Sequence, residues 1–308
     1  MTYSVGTATG TPDVISQLTA FAVTNCGFTA QADQAVSGSR TMKRISKGGI
    51  YWHFVPYASG NGILCFMSYA LETTDVPGTT STAQPYGTRM SAWSFASSFP
   101  NLYLYTDDSD VVFACVELTT GIFNHIGFGT ITKTETFTGG EFITAGDCEA
   151  TFVSASVTYF QDVDASTNKA VYQGQYATSG TTTGSSFLRI SGTNSDYRDF
   201  APLGGTLNSN RAGFSAVKGL NQEIMRDAPN AATFRTPMFP MYVAILDPVS
   251  SLYRLSGYIP SIRVVPNKYV DPAELLLTDW QCFPLTQKNA TGLLCSPCGN
   301  YGLAYERV

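Results

Sequence analysis

Residues 235–284 read RTPMFPMYVAILDPVSSLYRLSGYIPSIRVVPNKYVDPAELLLTDWQCFP, and this stretch decides which kind of fold to expect. Residues 241–246 are apolar almost throughout, which is typical of a strand buried on both faces. Asp247 and Pro248 then predict a turn, because both residue types favour turns. Residues 252–258 are the expected hairpin partner.

Prolines predict where further strands end in this stretch. Proline has no N–H to donate to a β-ladder, so Pro260 and Pro266 are expected to bound a third strand at 262–265. Nothing here resembles a catalytic loop. The stretch is therefore expected to be a structural scaffold that fixes where loops and chain ends emerge. Three aromatic side chains are expected to anchor the core: Trp52, Trp280 and Phe283.

The same kind of pattern continues outside this stretch. Hairpins are predicted where 49–56 precedes 63–69 and where 102–105 precedes 111–118. Short strands at such spacing with glycine-rich turns indicate a sandwich or barrel. The expected fold class is therefore all-β, with mainly antiparallel sandwich-like or barrel-like sheets.

Three long polar stretches interrupt the strands, at 71–91, 161–184 and 194–221. Loops of this length are uncommon in compact domains unless they serve a purpose, so we expect them to become ordered against neighbouring proteins. Between the first two, residues 151–159 alternate strictly, which predicts a strand.

One α-helix is predicted near the start of the chain. Thr11 is the expected N-cap, Pro12 the first helical residue, and Asp13 lies in the positive first turn. Apolar residues recur at helical spacing after it, and the pattern ends at 25–27.

Length and composition bound the function. At 308 residues the chain is long enough for one all-β unit or for two domains, at 1–148 and 149–308. Only 13% of the residues are charged, about half the usual share, so the surface is unusually uncharged and suits packing against other proteins. The net charge of −5 predicts no nucleic-acid partner. The densest basic group is expected to be solvated: Arg40, Lys43, Arg44 and Lys47.

The sequence predicts neither a membrane-spanning segment nor a secretion signal. No run approaches the roughly 18 apolar residues of a membrane span. The first residues, MTYSVGTATGTPD, have no basic start and no apolar core of a signal peptide. We therefore expect the protein to be made and kept in the cytosol until an assembly carries it out.

No group of residues predicts catalysis or a cofactor. His53 and His125 lie in β-rich aromatic runs and are expected to be satisfied core histidines, since a catalytic base needs a nucleophile and an orienting partner. Asp107, Asp108 and Asp110 lack the glycine and distal glutamate of a calcium-binding EF-hand loop and predict a plain turn.

Seven cysteines are scattered along the chain and do not form a secreted disulfide framework. Cys65 and Cys115 lie in apolar runs and are expected to be buried. Cys295 and Cys298, with Cys282 upstream, have the spacing of half a zinc site. The alternatives are disulfide or intersubunit thiol pairing outside the cell, or free thiols in a loop.

Several motifs resemble structural proteins of tailed bacteriophage virions, most often those with contractile tails. In the first half they are the helix at 12–24 with its exit at 26–28, the run IYWHF at 50–54, the paired runs at 102–105 and 111–117, FNHIGFG at 123–129 and GGEF at 139–142. In the second half they are RTP at 235–237, PMYV at 240–243, GYIPSIR at 257–263, WQCFP at 280–284 and GLAY at 302–305.

This resemblance implies a virion protein without enzymatic activity. It implies a six- or twelve-fold ring at the neck or collar of the tail that packs on neighbouring copies and on the tail terminator, tube or sheath. A ring in the baseplate is the alternative. The resemblance has no counterpart at 175–221 or at Cys295 and Cys298.

A carbohydrate-binding or receptor-binding β-sandwich is the alternative of another class. Such modules present aromatic rings to solvent beside polar side chains, whereas core rings are covered. The aromatic residues considered for such a platform are Tyr51, Trp52, Trp93, Tyr103 and Tyr105.

Overall fold

A computed structural model describes most of the chain. The described residues are 1–56, 62–74, 87–91, 98–146, 186–189, 197–201, 211–214, 238–246, 253–266, 271–276, 279–284, 288 and 301–307. Within them the chain forms twenty β-strands, one α-helix and a short 3₁₀ turn at Ser37–Ser39.

The helix, α1, spans Thr11–Asn25. The strands are β1 (Thr2–Ala8), β2 (Thr29–Ala30), β3 (Gln34–Val36), β4 (Arg40–Lys47), β5 (Ile50–Pro56), β6 (Gly62–Ser68), β7 (Gly87–Ser91), β8 (Phe99–Thr106), β9 (Val111–Thr119), β10 (Ile122–Thr130), β11 (Thr132–Lys133), β12 (Glu141–Gly146), β13 (Ser186–Arg189), β14 (Tyr197–Ala201), β15 (Arg211–Phe214), β16 (Phe239–Leu246), β17 (Tyr253–Pro266), β18 (Glu274–Leu276), β19 (Trp280–Pro284) and β20 (Tyr301–Glu306).

These strands form a long sheet and a small sheet. The long sheet has 14 strands in the order β1-β8-β9-β10-β12-β13-β14-β15-β16-β17-β20-β19-β18, with β11 beside β17. The small sheet has six strands in the order β2-β4-β5-β6-β7, with β3 beside β4. Neighbours are antiparallel except for β14 and β15, so the predicted all-β, mainly antiparallel fold class is confirmed.

Strand β9 shows how the sheets pack. Val112, Ala114 and Val116 lie in one core, together with side chains of α1 and the small sheet. Phe113 and Cys115, on the opposite face, lie in a second core with side chains of β16, β17, β19 and β20. The middle layer, formed by β8, β9, β10 and β12, is therefore covered on both faces. The outer layer is formed by β16, β17, β20 and β19.

The predicted hairpins are confirmed. β5 pairs with β6, and β8 pairs with β9, each close to its predicted bounds. β16 pairs with β17 as predicted, although the turn at Asp247 and Pro248 lies outside the described residues. The prediction that 241–246 is buried on both faces was wrong: Met241 and Val243 are buried, but Tyr242, on the opposite face, is exposed. The predicted strand at 151–159 also lies outside them.

Pro260 does not end a strand, and the prediction of two strands here was wrong. β17 runs without a break through Pro260 to Pro266. Its register against β16 shifts beside Pro260, where Pro240 pairs with Arg263 but Met241 pairs with Ile259. A proline is tolerated at such an irregularity because a residue without a partner in the ladder needs no N–H to donate.

Two of the predicted long loops contain strands. Residues 87–91 form β7 beside β6, and the region 194–221 contains β14 and β15. These strands are short and polar, so their sequences have no clear period, and pairing with a neighbour decides their conformation. The loop predicted at 161–184 lies outside the described residues.

The helix begins one residue before its predicted start. Gly10, with φ 138°, is the N-cap, and Thr11 is the first helical residue. Asp13 still contributes to the start of the helix, because its carboxylate accepts a hydrogen bond from the backbone N–H of Thr9 at 2.8 Å. This bond, and a smaller contribution from the Gln17 side chain, lower the pKa of Asp13.

Both sides of position 148 contribute to one core. Tyr103 and Phe113 lie in the same cluster as Met241, Phe283 and Tyr305. The domain division at 148 stays a prediction, but the described strands on its two sides pack together. None of the described helical residues belongs to a helix long and apolar enough to cross a membrane.

Candidate interaction site at the edge of the long sheet

Buried polar contacts join the middle layer to the outer layer. His125 Nε2 lies 3.0 Å from the carbonyl oxygen of Pro284, and its Nδ1 lies 2.8 Å from the hydroxyl of Tyr305. A carbonyl only accepts, so Nε2 carries the proton and Nδ1 accepts from Tyr305. His125 is thus a satisfied core histidine, as predicted.

A second buried contact lies beside it. The Tyr105 hydroxyl donates to Oε1 of Gln281 at 2.7 Å, and Gln281 Nε2 donates to the carbonyl oxygen of Ala273 at 3.2 Å. The rings of Tyr105 and Tyr305 stack with centroids 5.0 Å apart. These polar groups satisfy one another, so they fix the register of the two layers and do not form an open site.

His53 lies on the far face of the small sheet and helps to hold a loop. Its Nε2 accepts from the backbone N–H of Glu72 at 3.1 Å, while Arg44 Nη1 donates to the Glu72 carbonyl oxygen at 2.9 Å. Arg44 and His53 are directly opposite each other in the β4–β5 ladder. Together they bind both backbone groups of one residue, which we call the Glu72 clamp.

The clamp leaves one polar group over. Because His53 Nε2 accepts, the neutral ring carries its proton on Nδ1, and Nδ1 has no hydrogen-bond partner among the described residues. Burial lowers the pKa of His53 to about 3, against a smaller raising effect of the Phe66 backbone, and the charge of Arg44 lowers it slightly further. The imidazole is therefore neutral at ordinary pH.

The basic group at 40–47 is not simply solvated, and this prediction was wrong for Arg44. Arg44 is buried, and its guanidinium also donates to the carbonyl oxygen of Ala32 at 2.8 and 2.5 Å. The other three side chains also contact protein groups: Arg40 the carbonyl of Pro56, Lys43 the carboxylate of Asp33, and Lys47 the carbonyl of Cys26. These cations hold loops against β4.

The acidic turn before β9 is a hydrogen-bonded turn. Asp107 Oδ1 accepts from the backbone N–H groups of Ser109, Asp110 and Val111 at 3.0, 2.7 and 2.9 Å. A carboxylate that accepts in this way closes the turn on itself. Across the described part of the chain, no three His, Cys, Asp or Glu side chains are grouped as metal ligands would be.

Cys282, one of the three cysteines considered for pairing, is buried in the outer layer as a free thiol. Burial, with the nearby charge of Glu274, raises the pKa of Cys282 to about 12, so it is neither a ready nucleophile nor exposed to a neighbour. Cys65 and Cys115 are buried, as predicted. Cys295 and Cys298 lie outside the described residues.

The three predicted anchors are buried to different degrees. Trp52 is enclosed in the first core and donates to the Phe142 carbonyl at 3.2 Å. Phe283 is enclosed in the second core. Trp280 points away from the second core, to the other face of the outer layer, and is only partly buried there. The Arg263 guanidinium lies 4.7 Å above its ring.

The aromatic residues considered for a carbohydrate platform do not form one. Trp52, Tyr103 and Tyr105 are buried, and Tyr51 is half-buried. Trp93 lies outside the described residues. Elsewhere, Tyr242 on the outer layer is 38% exposed and pairs across strands with Tyr258.

The exposed edge of the long sheet is strand β1, which sequence reasoning missed. β1 pairs with β8 on one side, and no described strand pairs with its other side. Its four residues from Ser4 to Thr7 are all exposed, and Val5 is 48% exposed. Such an edge offers unpaired N–H and C=O groups to another strand.

Among the residues that the structure describes, the part of this edge without a strand partner spans residues 2–6. The strand bulges between Gly6 and Ala8, and the Thr7 carbonyl accepts from Gln17 Nε2 at 2.9 Å. Residues 2–6 contain neither a charged residue nor a proline, the two features that commonly protect sheet edges. The signal in the sequence was the alternation of Tyr3 and Val5 with small residues, which is short and weak.

The opposite end of the long sheet is better protected. β18 has three residues and carries Glu274, and its exposed apolar side chain is Leu275, at 44%. Short length and charge both discourage strand addition. We therefore take the β1 edge, residues 2–6, as the candidate interaction site.

The chain matches no protein-family model, and no curated protein is detectably similar to it in sequence.

Proposed function

We propose that this chain is a non-enzymatic structural protein of a tailed-phage virion, present as a six- or twelve-fold ring at the neck or collar of the tail. The observation that carries the proposal is the β1 edge, an uncharged strand with no described partner on one side, which fits a contact between two such rings or with a neighbouring tail protein. The low content of charged residues supports it, because surfaces that stay in contact with protein need few charges. In this role the chain packs on its own copies and on tail terminator, tube or sheath proteins, and a baseplate ring is the alternative position.

The close packing of the layers fits the same role. Two cores share the middle layer, and buried contacts such as His125 to Tyr305 tie that layer to the outer one. A ring subunit transmits load between neighbours, and satisfied buried polar networks favour one well-defined packing.

Immunogold labelling of intact virions with an antibody against the recombinant chain tests the proposal. Label confined to the neck or collar is expected, and label at the far end of the tail would select the baseplate position. Antibody pre-adsorbed with the recombinant chain is the control. Virions that lack the chain would overturn the proposal.

A carbohydrate-binding or receptor-binding module remains the second candidate function, and Tyr242 is the observation that favours it. Tyr242 is 38% exposed and lies opposite Tyr258 in the β16–β17 ladder, and an exposed aromatic ring is the kind of surface on which a sugar can stack. Glycan-array binding by the chain that is lost in Tyr242→Ala would support this function. Leu255→Ala, a change of a similarly exposed side chain on the same layer, is the control.

A further inference from the structure

We propose that the β1 edge pairs antiparallel with the β1 edge of a second copy of this chain, centred on Ser4. The contact is a twofold one, in which the same five residues of each copy supply both sides. The long sheets of the two copies then form one continuous sheet.

The pattern of side chains on β1 favours its own copy as the partner. Tyr3 and Val5 lie on the same face of the strand, since they are two residues apart. An antiparallel pair centred on Ser4 places Tyr3 opposite Val5 of the second copy, and Val5 opposite Tyr3. Aromatic rings opposite β-branched side chains are among the favourable cross-strand pairs.

The surroundings of these two residues fit that pairing. Tyr3 is half-buried, stacked on Tyr105 with centroids 5.7 Å apart, and its position is thereby set. Val5 pairs within the chain with Tyr103, yet nearly half of it stays exposed. A second Tyr3 beside it would cover this exposed apolar surface.

Charge does not oppose the contact. No side chain from Thr2 to Ala8 is charged, so the self-pair brings no like charges opposite each other. Two described cations lie beside the strand: the N-terminal ammonium of Met1, which is paired with the Asp108 carboxylate, and Arg307, whose guanidinium lies 4.3 Å above the Tyr3 ring. A positive charge introduced at position 5 would therefore face Arg307 of the second copy.

The contact is weak by itself. A single pair of five-residue edges buries far less than the roughly 1,000 Å² of a stable interface, so the isolated chain associates only at high concentration. In the proposed ring, a twofold contact cannot close the ring and instead joins two rings into one double layer. That consequence depends on the proposed function, whereas the contact itself does not.

Sedimentation velocity over a wide concentration range measures the association. The natural chain is expected to form dimers at high concentration, and Val5→Lys is expected to raise the dimer Kd about tenfold or more by removing the apolar contact and opposing Arg307. Leu275→Lys is the matched control, because it changes an equally exposed apolar residue at the other end of the same sheet and leaves the Kd unchanged. A monomer at all concentrations, or equal effects of both variants, would overturn the proposal.

Cross-linking tests the register. Ser4 lies opposite itself in the proposed pair, so Ser4→Cys should form a disulfide-linked dimer on mild oxidation that a reductant reverses. Thr2→Cys is the control, because the two copies of residue 2 lie about 13 Å apart in this register. Equal cross-linking of both variants would contradict the register. If the dimers form with this register but the chain is absent from virions, the proposed contact is supported and the proposed function is rejected.

Discussion

Strands β1 and β9 flank the same strand, β8, but they have opposite environments. Every residue of β9 except Thr119 is buried, whereas β1 exposes four residues in a row. β9 is covered by α1 and the small sheet on one face and by the outer layer on the other. The position of a strand within the layers, more than the β-propensity of its residues, therefore decides whether its side chains are buried in the core or exposed to another chain.

The largest effect is expected in β9. Phe113→Ala should lower the free energy of unfolding by about 3–5 kcal/mol, because Phe113 is fully buried and the layers on both sides limit collapse of the cavity. Urea unfolding followed by circular dichroism measures the change. A loss below about 1 kcal/mol would mean that the middle layer is not packed on both faces.

A smaller effect is expected at Trp280. This ring is only partly buried, so Trp280→Ala should cost about 1–2 kcal/mol, well below the cost of removing an enclosed aromatic side chain. Phe283→Ala on the same strand is the matched comparison and should cost about 3–5 kcal/mol, since Phe283 is enclosed. Equal losses in the two variants would show that Trp280 is covered in solution.

The Glu72 clamp predicts a dependence of stability on pH. The pKa of His53 falls from the ordinary 6.5 to about 3 in the folded chain, so the unfolded chain binds the proton more readily. Stability that is present above pH 6.5 should therefore be lost progressively as pH falls towards 3. Between pH 7.5 and 5.5 the loss should be about 1–1.5 kcal/mol.

His53→Gln provides the control for this slope. The glutamine amide oxygen matches the position of Nε2 and can accept from the Glu72 N–H, but the amide does not titrate. Burial raises the pKa of the Glu72 carboxyl, which acts in the opposite direction because protonation then favours the folded chain. Glu72 contributes equally to both proteins, so the difference in slope between the natural chain and His53→Gln isolates the contribution of His53. An unchanged slope in His53→Gln would place the pH dependence elsewhere.

The smallest effect is expected at β1. Val5→Ala should change the free energy of unfolding of the monomer by less than about 0.5 kcal/mol, because exposed side chains away from special features contribute little. Thermal unfolding at low protein concentration checks this. A large loss at Val5 would show that this edge is covered within the monomer, and it would remove the contrast with β9.

Much of the fold could be predicted from local sequence patterns. The run VVFACVEL at 111–118 is apolar in every position except one, and it forms the predicted strand β9. The run at 241–246 also forms its predicted strand, but the expectation that both its faces are buried was wrong, because Tyr242 is exposed. The helix and the hairpins of β5 with β6 and β8 with β9 follow from similar local patterns. The resemblance to phage structural proteins and the proposed ring remain predictions.

The sequence by itself determined the helix and the long apolar strands, because side-chain periodicity and turn residues act over a few neighbouring positions. It did not reveal β1, β7, β14 and β15, whose sequences have no clear period. Tertiary structure alone decided which polar groups are buried and which edge stays free. His125 is satisfied by Tyr305, 180 positions away, and Arg44 binds a loop 28 positions away. Pro260 continues a strand because β16 shifts register beside it. β1 is an edge because no described strand pairs beyond it, and pairing of this kind depends on the whole chain.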